Sequence, residues 1–206
     1  MIDITEWSKV SAKSFEAYQF DSGMLVKNFD PTDVEEPADA DIICTTTGNI
    51  TASLTATRAN LGDDVNNLHI DAMELEYIQK WTANLQFTAL EMNADTFKLA
   101  LGAADITSIT GGSKVTARMQ LKTADFQTVA LVMKLIGGGL AAAVISNALS
   151  QDGLSITTTK EGKGNLAINM KGFASLANQK QVPMEFYVLE PSKASEVSET
   201  PKSTGA

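Results

Sequence analysis

Cysteine and histidine are almost missing from this chain: Cys44 and His69 are the sole examples of each among 206 residues. A single cysteine forms no intrachain disulfide, which suits assembly in a reducing cytosol. A single histidine excludes a two-His iron site and a His-rich zinc site, and it argues against a hydrolase triad. Cys44 and His69 together would make a nucleophile and its base. The surroundings Ile42-Ile43-Cys44-Thr45-Thr46-Thr47, however, do not resemble a nucleophile turn. We read Cys44 as a small buried hydrophobe at the start of a strand. His69 is read as a loop residue that meets solvent or a neighbouring subunit. Positive charge is scarce too, with 16 Lys and Arg against 25 Asp and Glu and a net charge of −9. That balance keeps a protein soluble, and it does not grip nucleic-acid phosphates, which need Lys and Arg.

Other signatures are missing. The first residues, Met1-Ile2-Asp3-Ile4-Thr5-Glu6-Trp7, lack the basic region and apolar run of a secretory signal. The most apolar stretch, 126–149, is interrupted by Lys134, Gly137-Gly138-Gly139, Ser146 and Asn147. It reads as a buried strand followed by a buried helix, not as a membrane span. The three glycines match neither phosphate-binding fingerprint and read as a flexible connector. Asp63-Asp64 with Asn60, Asn66 and Asn67 lacks the alternation and distal Glu of a calcium loop. No carboxylate pair stands out for acid–base work and no internal repeat is evident. The sequence therefore predicts no catalytic, cofactor or metal site.

What is present is alternation. In 48–57, Ile50, Ala52, Leu54 and Ala56 alternate with Asn49, Thr51, Ser53, Thr55 and Thr57. Successive strand side chains point to opposite faces, so this run has one small apolar face and one hydroxyl face. A polar loop rich in Gly, Asp and Asn follows over 58–69. A second run covers 73–90, with Leu75, Tyr77, Trp81, Leu85 and Phe87 opposed to Glu74, Glu76, Lys80, Asn84, Gln86 and Thr88. Asn93 caps an expected helix over 94–101, with Asp95 in its first turn and Gly102 at its stop.

Further along, Val115, Ala117, Met119 and Leu121 alternate with polar residues and predict a half-buried strand. The run 129–136 is apolar on both parities apart from Lys134, as in a strand covered on both faces. By propensity 140–149 is a helix. A hairpin is expected from 153–159 and 165–173 about the turn 160–164, then a last strand over 182–189. Residues 1–41 read as an N-terminal arm whose acidic run (Asp30, Asp33, Glu35, Glu36, Asp39, Asp41) is a solvated loop or a docking segment. Residues 190–206 offer nothing to bury and read as a disordered tail. The expected class is mainly β (α+β): an antiparallel β-sandwich or barrel with one or two short helices.

The order Gly48-Asn49-Ile50-Thr51-Ala52-Ser53-Leu54, then Gly62-Asp63-Asp64, Trp81-Thr82-Ala83-Asn84-Leu85 and Phe97-Lys98-Leu99-Ala100-Leu101-Gly102-Ala103-Ala104 resembles the tail tube (major tail) proteins of long-tailed, non-contractile phages and prophages of Gram-positive bacteria. The similarity runs over roughly 23–189 and is one of order and texture. It implies a tail-tube β domain over 42–189 and a structural, non-enzymatic role in the virion after assembly in the host cytoplasm. It further implies hexameric rings whose sheets join into a large β-barrel channel. Those rings stack into a tube that conducts genomic DNA during ejection, without specific binding and without a membrane. Implied partners are other copies of the chain, a tape measure, a tail terminator and baseplate or distal tail proteins.

By the same resemblance the loop 60–70 (Asn60, Leu61, Gly62, Asp63, Asp64, Val65, Asn66, Asn67, Leu68, His69 and its end) docks on the next ring. Thr51, Ser53, Thr55, Glu74, Glu76 and Gln86 are candidates for the lumen lining, expected to be polar and net negative. Parity leaves open which polar face is lumen. Two other readings stand beside this one: the inner tube of a contractile tail or bacteriocin, and a β-rich domain that binds a small ligand.

Overall fold

Antiparallel strand pairing organises the computed structural model, which describes residues 11–32, 37–68, 70–158, 160 and 162–190. A short helix α1 (Ala12–Glu16) leads into β1 (Gln19–Val26). A long hairpin follows, β2 (Thr46–Asn60) and β3 (Glu76–Ala89), then α2 (Ala94–Leu101) and a small separate hairpin, β4 (Ala104–Ile109) with β5 (Gly112–Ala117). The chain closes with β6 (Gln127–Leu135), β7 (Leu140–Ser150), β8 (Ile156–Thr157), β9 (Asn165–Lys171) and β10 (Met184–Leu189).

The main sheet has the order β1-β6-β7-β9-β3-β2, with β10 on β7 and β8 on β9. It bends along β7. Residues 140–145 of that strand pair with β10, whereas Leu149 and Ser150 pair with β9. Asn147 lies at the bend with φ 48°, and the register between β6 and β7 slips there. Asn tolerates this left-handed conformation better than most residues, and a bulge of this kind turns a strand. The Asn147 Nδ2 donates to the Phe173 carbonyl at 3.1 Å and holds the corner.

The bend folds one half-sheet over the other. Leu25, Val129, Leu131, Ala143 and Ile145 from the first half meet Ala83, Leu85, Phe87, Leu166, Ile168 and Met170 from the second. Leu99 and Ala100 of α2 close one side of this core. The β strands carry these apolar residues at every second position, which is why a single core can be filled from two sheets. The sheet stays open, because no strand ladder joins β1 to β2; the end of β1 and the chain entering β2 are linked by the bridge Val26–Ile42 and by hydrogen bonds such as Ile43 N to Leu25 O and Lys27 N to Asp41 O.

Several expectations are met. The helix 94–101 forms as read, with the Asn93 Oδ1 accepting from both Thr96 N and Thr96 Oγ1 at 2.8 Å. Gly102 ends it at φ 72°. The strands expected over 48–57, 73–90, 129–136 and 182–189 appear with shifted ends, and 156–157 pairs with 165–166 as the expected hairpin does.

Others are corrected. The stretch 140–149 is not a helix but β7, the most interior strand. Its alanines sit opposite Phe186, Tyr187 and Val188 of β10, where small side chains leave room for large ones. Helix propensities of a few tenths of a kcal/mol per residue are outweighed when both strand edges pair and the residues are buried. The three glycines accordingly form the β6–β7 turn, with Leu135 N donating to Gly139 O and Gly138 at φ 85°. Gly137 packs so closely on Glu16 that a Cβ there would lie 2.9 Å from the Glu16 Cβ.

The strand expected over 115–121 ends at Ala117, and Met119 is fully exposed. Residues 58–60 belong to β2, not to the loop. Inside the stretch read as an arm, β1 pairs with β6 and buries Leu25 and Val26. His69, Asp33, Glu35, Glu36 and all of the tail beyond Glu190 lie outside the described residues.

Candidate assembly surface

Register assigns the faces of the second half-sheet. Residues directly opposed in neighbouring strands project to the same side. Thr47 faces Thr88, Thr51 faces Gln86, Ser53 faces Asn84, Thr55 faces Thr82, and Thr57 faces Lys80. The row continues onto β9, where Asn169 lies beside Gln86 and Lys171 beside Asn84. Ala52, Leu54 and Ala56 oppose Leu85, Ala83 and Trp81 on the other side, toward the core. The result is a half-sheet with one buried face and one face of hydroxyls and amides. The charged positions in these rows are Lys80 and Lys171, the latter with its Nζ 5.7 Å from the centre of the Phe173 ring.

Four of the six expected lining residues thus share this face: Thr51, Ser53, Thr55 and Gln86. The two acids do not. Between Thr57 and Arg58 the register slips by one residue of β3, leaving Gln79 as a bulge. Beyond it Glu76 pairs with Asn60 and Ile78 with Arg58, on the side that Ala56 occupies in the alternation of β2. The Asn60 Nδ2 donates to Glu76 Oε1 at 3.0 Å. Glu74 lies in a single 3-10 turn, Met73–Leu75, at the tip. Simple parity along β3 put Glu76 with Gln86; no sequence signal marked the bulge.

β9 pairs with β3 only from Asn84 to Ala89, so 53–60 and 76–83 run on as a two-stranded ribbon. At its end the loop doubles back. Asn60 Oδ1 accepts from Gly62 N at 2.7 Å, and Leu61 N donates to Leu75 O at 3.0 Å. Gly62 is buried there, and an added Cβ would collide with Leu68 Cδ2. Asp63, Asp64, Asn66 and Asn67 are exposed. So, unexpectedly, are apolar residues around them: Leu61, Val65, Ile70 and Met73, the last 81% exposed. Tyr77, Ile78 and Trp81 continue this apolar exposure along β3. The polar texture of 58–69 hid it. Apolar side chains left uncovered on both faces of a slender ribbon are what a partner would bury.

The sheet edges differ in how they are finished. Along β1 the register breaks between Phe20 and Met24, with Asp21 at φ 73° and Gly23 at φ 80°. Its far end is covered by 41–43 through Lys27 N to Asp41 O and Ile43 N to Leu25 O. Such bulges and covers protect an edge from further pairing. β2 has no such protection beyond its first residues. From Thr51 to Asn60 it runs without proline, and no strand among the described residues pairs with its outer edge.

Reactive chemistry is not prepared at Cys44. Burial, reinforced by the charge of Glu91, pushes its thiol up to about 12, so it carries no thiolate at neutral pH. Glu91 is itself held below the usual carboxylate range, first by Thr45 Oγ1 at 2.6 Å and then by Thr45 N at 2.8 Å. No group of three or more His, Cys, Asp and Glu is placed to hold a metal among the described residues. Concavities among the described residues include a groove of about 840 Å³ between β1, β6 and residues 27–30 and 37–41, and a depression of about 500 Å³ between α2, β5 and Leu154. Among the described residues no helix is long and apolar enough to cross a membrane.

Asp125 is a buried charged group in the loop after β5. Asp125 accepts from Lys122 N at 2.7 Å and from Arg118, whose Nε is 3.0 Å from Asp105 Oδ1. These contacts tie the loop after β5 to β4 and hold the Asp125 carboxyl below its ordinary value, the backbone hydrogen bond from Lys122 contributing most. No protein-family model matches the chain, and no curated protein matches it.

Proposed function

We propose that this chain is the structural subunit of a phage tail tube, assembling as stacked hexameric rings around a channel for DNA. The observation that carries the reading is the second half-sheet. It pairs a buried face with a hydroxyl and amide face, and it ends in a long unprotected edge. Such a sheet is half of an interface, because unpaired edge N–H and C=O groups and exposed apolar ribbon residues both gain from a neighbour.

In this reading the hydroxyl and amide face looks into the channel, since the core occupies the other. Water satisfies hydroxyls and amides as well as phosphates do, so apart from Lys80 and Lys171 a lining of this kind offers DNA no fixed contact. The net charge of −9 on each copy adds a long-range repulsion that keeps a polyanion mobile. The acidic tip of the β2–β3 ribbon, with Asp63, Asp64, Glu74 and Glu76, then reaches the adjacent ring, and its apolar residues bury there. Tape measure, terminator and distal tail proteins would meet the tube at its ends and in its lumen, and the assembled particle places the chain in the virion.

Negative-stain electron microscopy of the concentrated protein tests the reading. Hollow tubes or six-fold rings are expected. A protein that remains monomeric, and whose melting shifts saturably with a small molecule, would replace the tube with a ligand-binding domain.

A further inference from the structure

We infer that the neighbour of the open β2 edge is the β8 edge of a second copy, so that the second half-sheet continues from chain to chain. The inference rests on the tube reading and specifies its lateral seam. β2 needs a strand whose two faces match its own: hydroxyls on one side, apolar residues on the other. The run 153–158 has that pattern. Ile156 opposes Leu166, a core residue, and Thr157 opposes Asn165. By alternation Leu154 joins Ile156 and Ser155 joins Thr157.

Both apolar members of this run are uncovered although they point to the core side. Ile156 is 45% exposed and Leu154 36%. Leu154 also rims the depression of about 500 Å³, whose apolar walls are Met92, Phe97, Leu101 and Val115. A second copy's β2, laid along 153–158, places its Ala52, Leu54 and Ala56 row over Ile156 and beside this depression. Its Thr51, Ser53 and Thr55 row then continues the Ser155 and Thr157 row, and the hydroxyl face passes unbroken across the seam. β8 occupies only two residues within one chain; the added strand lengthens it.

The other free edges of the main sheet fit less well. β1 is bulged and covered. β10 offers Glu185 and Tyr187, a carboxylate and a phenol, where β2 offers hydroxyls. It also belongs to the other half-sheet, so joining it would turn the hydroxyl face out of line. Because β2 and β8 are different edges, the contact is head-to-tail, which does not stop at a dimer and gives a ring where the rotation between copies closes.

Cysteine cross-linking in a Cys44→Ala background tests the seam. Ser53→Cys or Thr55→Cys is combined with Ser155→Cys or Thr157→Cys in the same chain, and the concentrated protein is oxidised while tubes are scored by microscopy. Opposed cysteines in adjacent strands are within disulfide reach. The expected result is a covalent ladder for at least one pair, absent from each single variant, and a heterodimer when two single variants are mixed. Tubes without a ladder from any of the four pairs overturn the seam and leave the tube reading intact. A covalent dimer of Ser53→Cys alone means that β2 pairs with itself, which overturns the seam and the ring together. Neither tubes nor ladder overturns both.

Discussion

Replacing Asn147 tests the bend that makes two half-sheets of one. The residue sits at φ 48° in the middle of β7 and its Nδ2 donates to the Phe173 carbonyl. A valine in its place would meet two costs. A β-branched residue held in the left-handed region costs about 1–2 kcal/mol, and the lost hydrogen bond about 1 kcal/mol. Asn147→Val should therefore destabilise by about 2–3 kcal/mol, which lowers Tm by roughly 4–12 °C for a domain of this size. Asn147→Gly loses the same hydrogen bond but not the conformation, so its cost stays near about 1 kcal/mol. Guanidinium titrations followed by far-UV circular dichroism measure both. The decisive quantity is the gap between the two variants. Equal midpoints for the valine and glycine variants would refute the bulge, and with it the placement of 140–150 in both half-sheets.

Three further outcomes are expected. With its pKa at about 12, native Cys44 should react with a thiol reagent at pH 8 roughly a thousandfold more slowly than in guanidinium; fast native labelling would contradict its burial. Asp125 titrates lower in the folded than in the unfolded chain, so its contribution is present above the ordinary Asp value near about 4 and is lost as pH falls through the folded value. Asp125→Asn should thus lower Tm at pH 7, and the gap to the parent should close in acid; a gap that widens on acidification would reverse the assignment. Reversing charge at Asp63→Lys and Asp64→Lys alters an exposed loop and should move folding stability by less than about 1 kcal/mol. It should nevertheless shorten tubes seen by electron microscopy, and full-length tubes would remove these acids from ring stacking.

Local chemistry by itself determined a good deal of this protein. The Asn93 cap and Gly102 stop bounded α2 correctly, because capping is a contest settled within one turn of chain. Alternation separated Ala52 and Leu54 from Thr51, Ser53 and Thr55 within β2 and put Gln86 on the polar parity of β3, since the period of a strand is fixed by its backbone; register then joined the two polar faces. Cys44 read as an inert buried thiol for the same local reasons. Tertiary structure decided what depends on partners distant in sequence. The alanines of 140–149 favour a helix in isolation, and only β6, β9 and β10 pairing around them makes a strand. One bulged residue, Gln79, moved Glu76 off the outer face, since a register slip inverts every side chain beyond it. The exposed apolar ribbon tip and the open β2 edge likewise exist only once it is known which strands found partners and which did not.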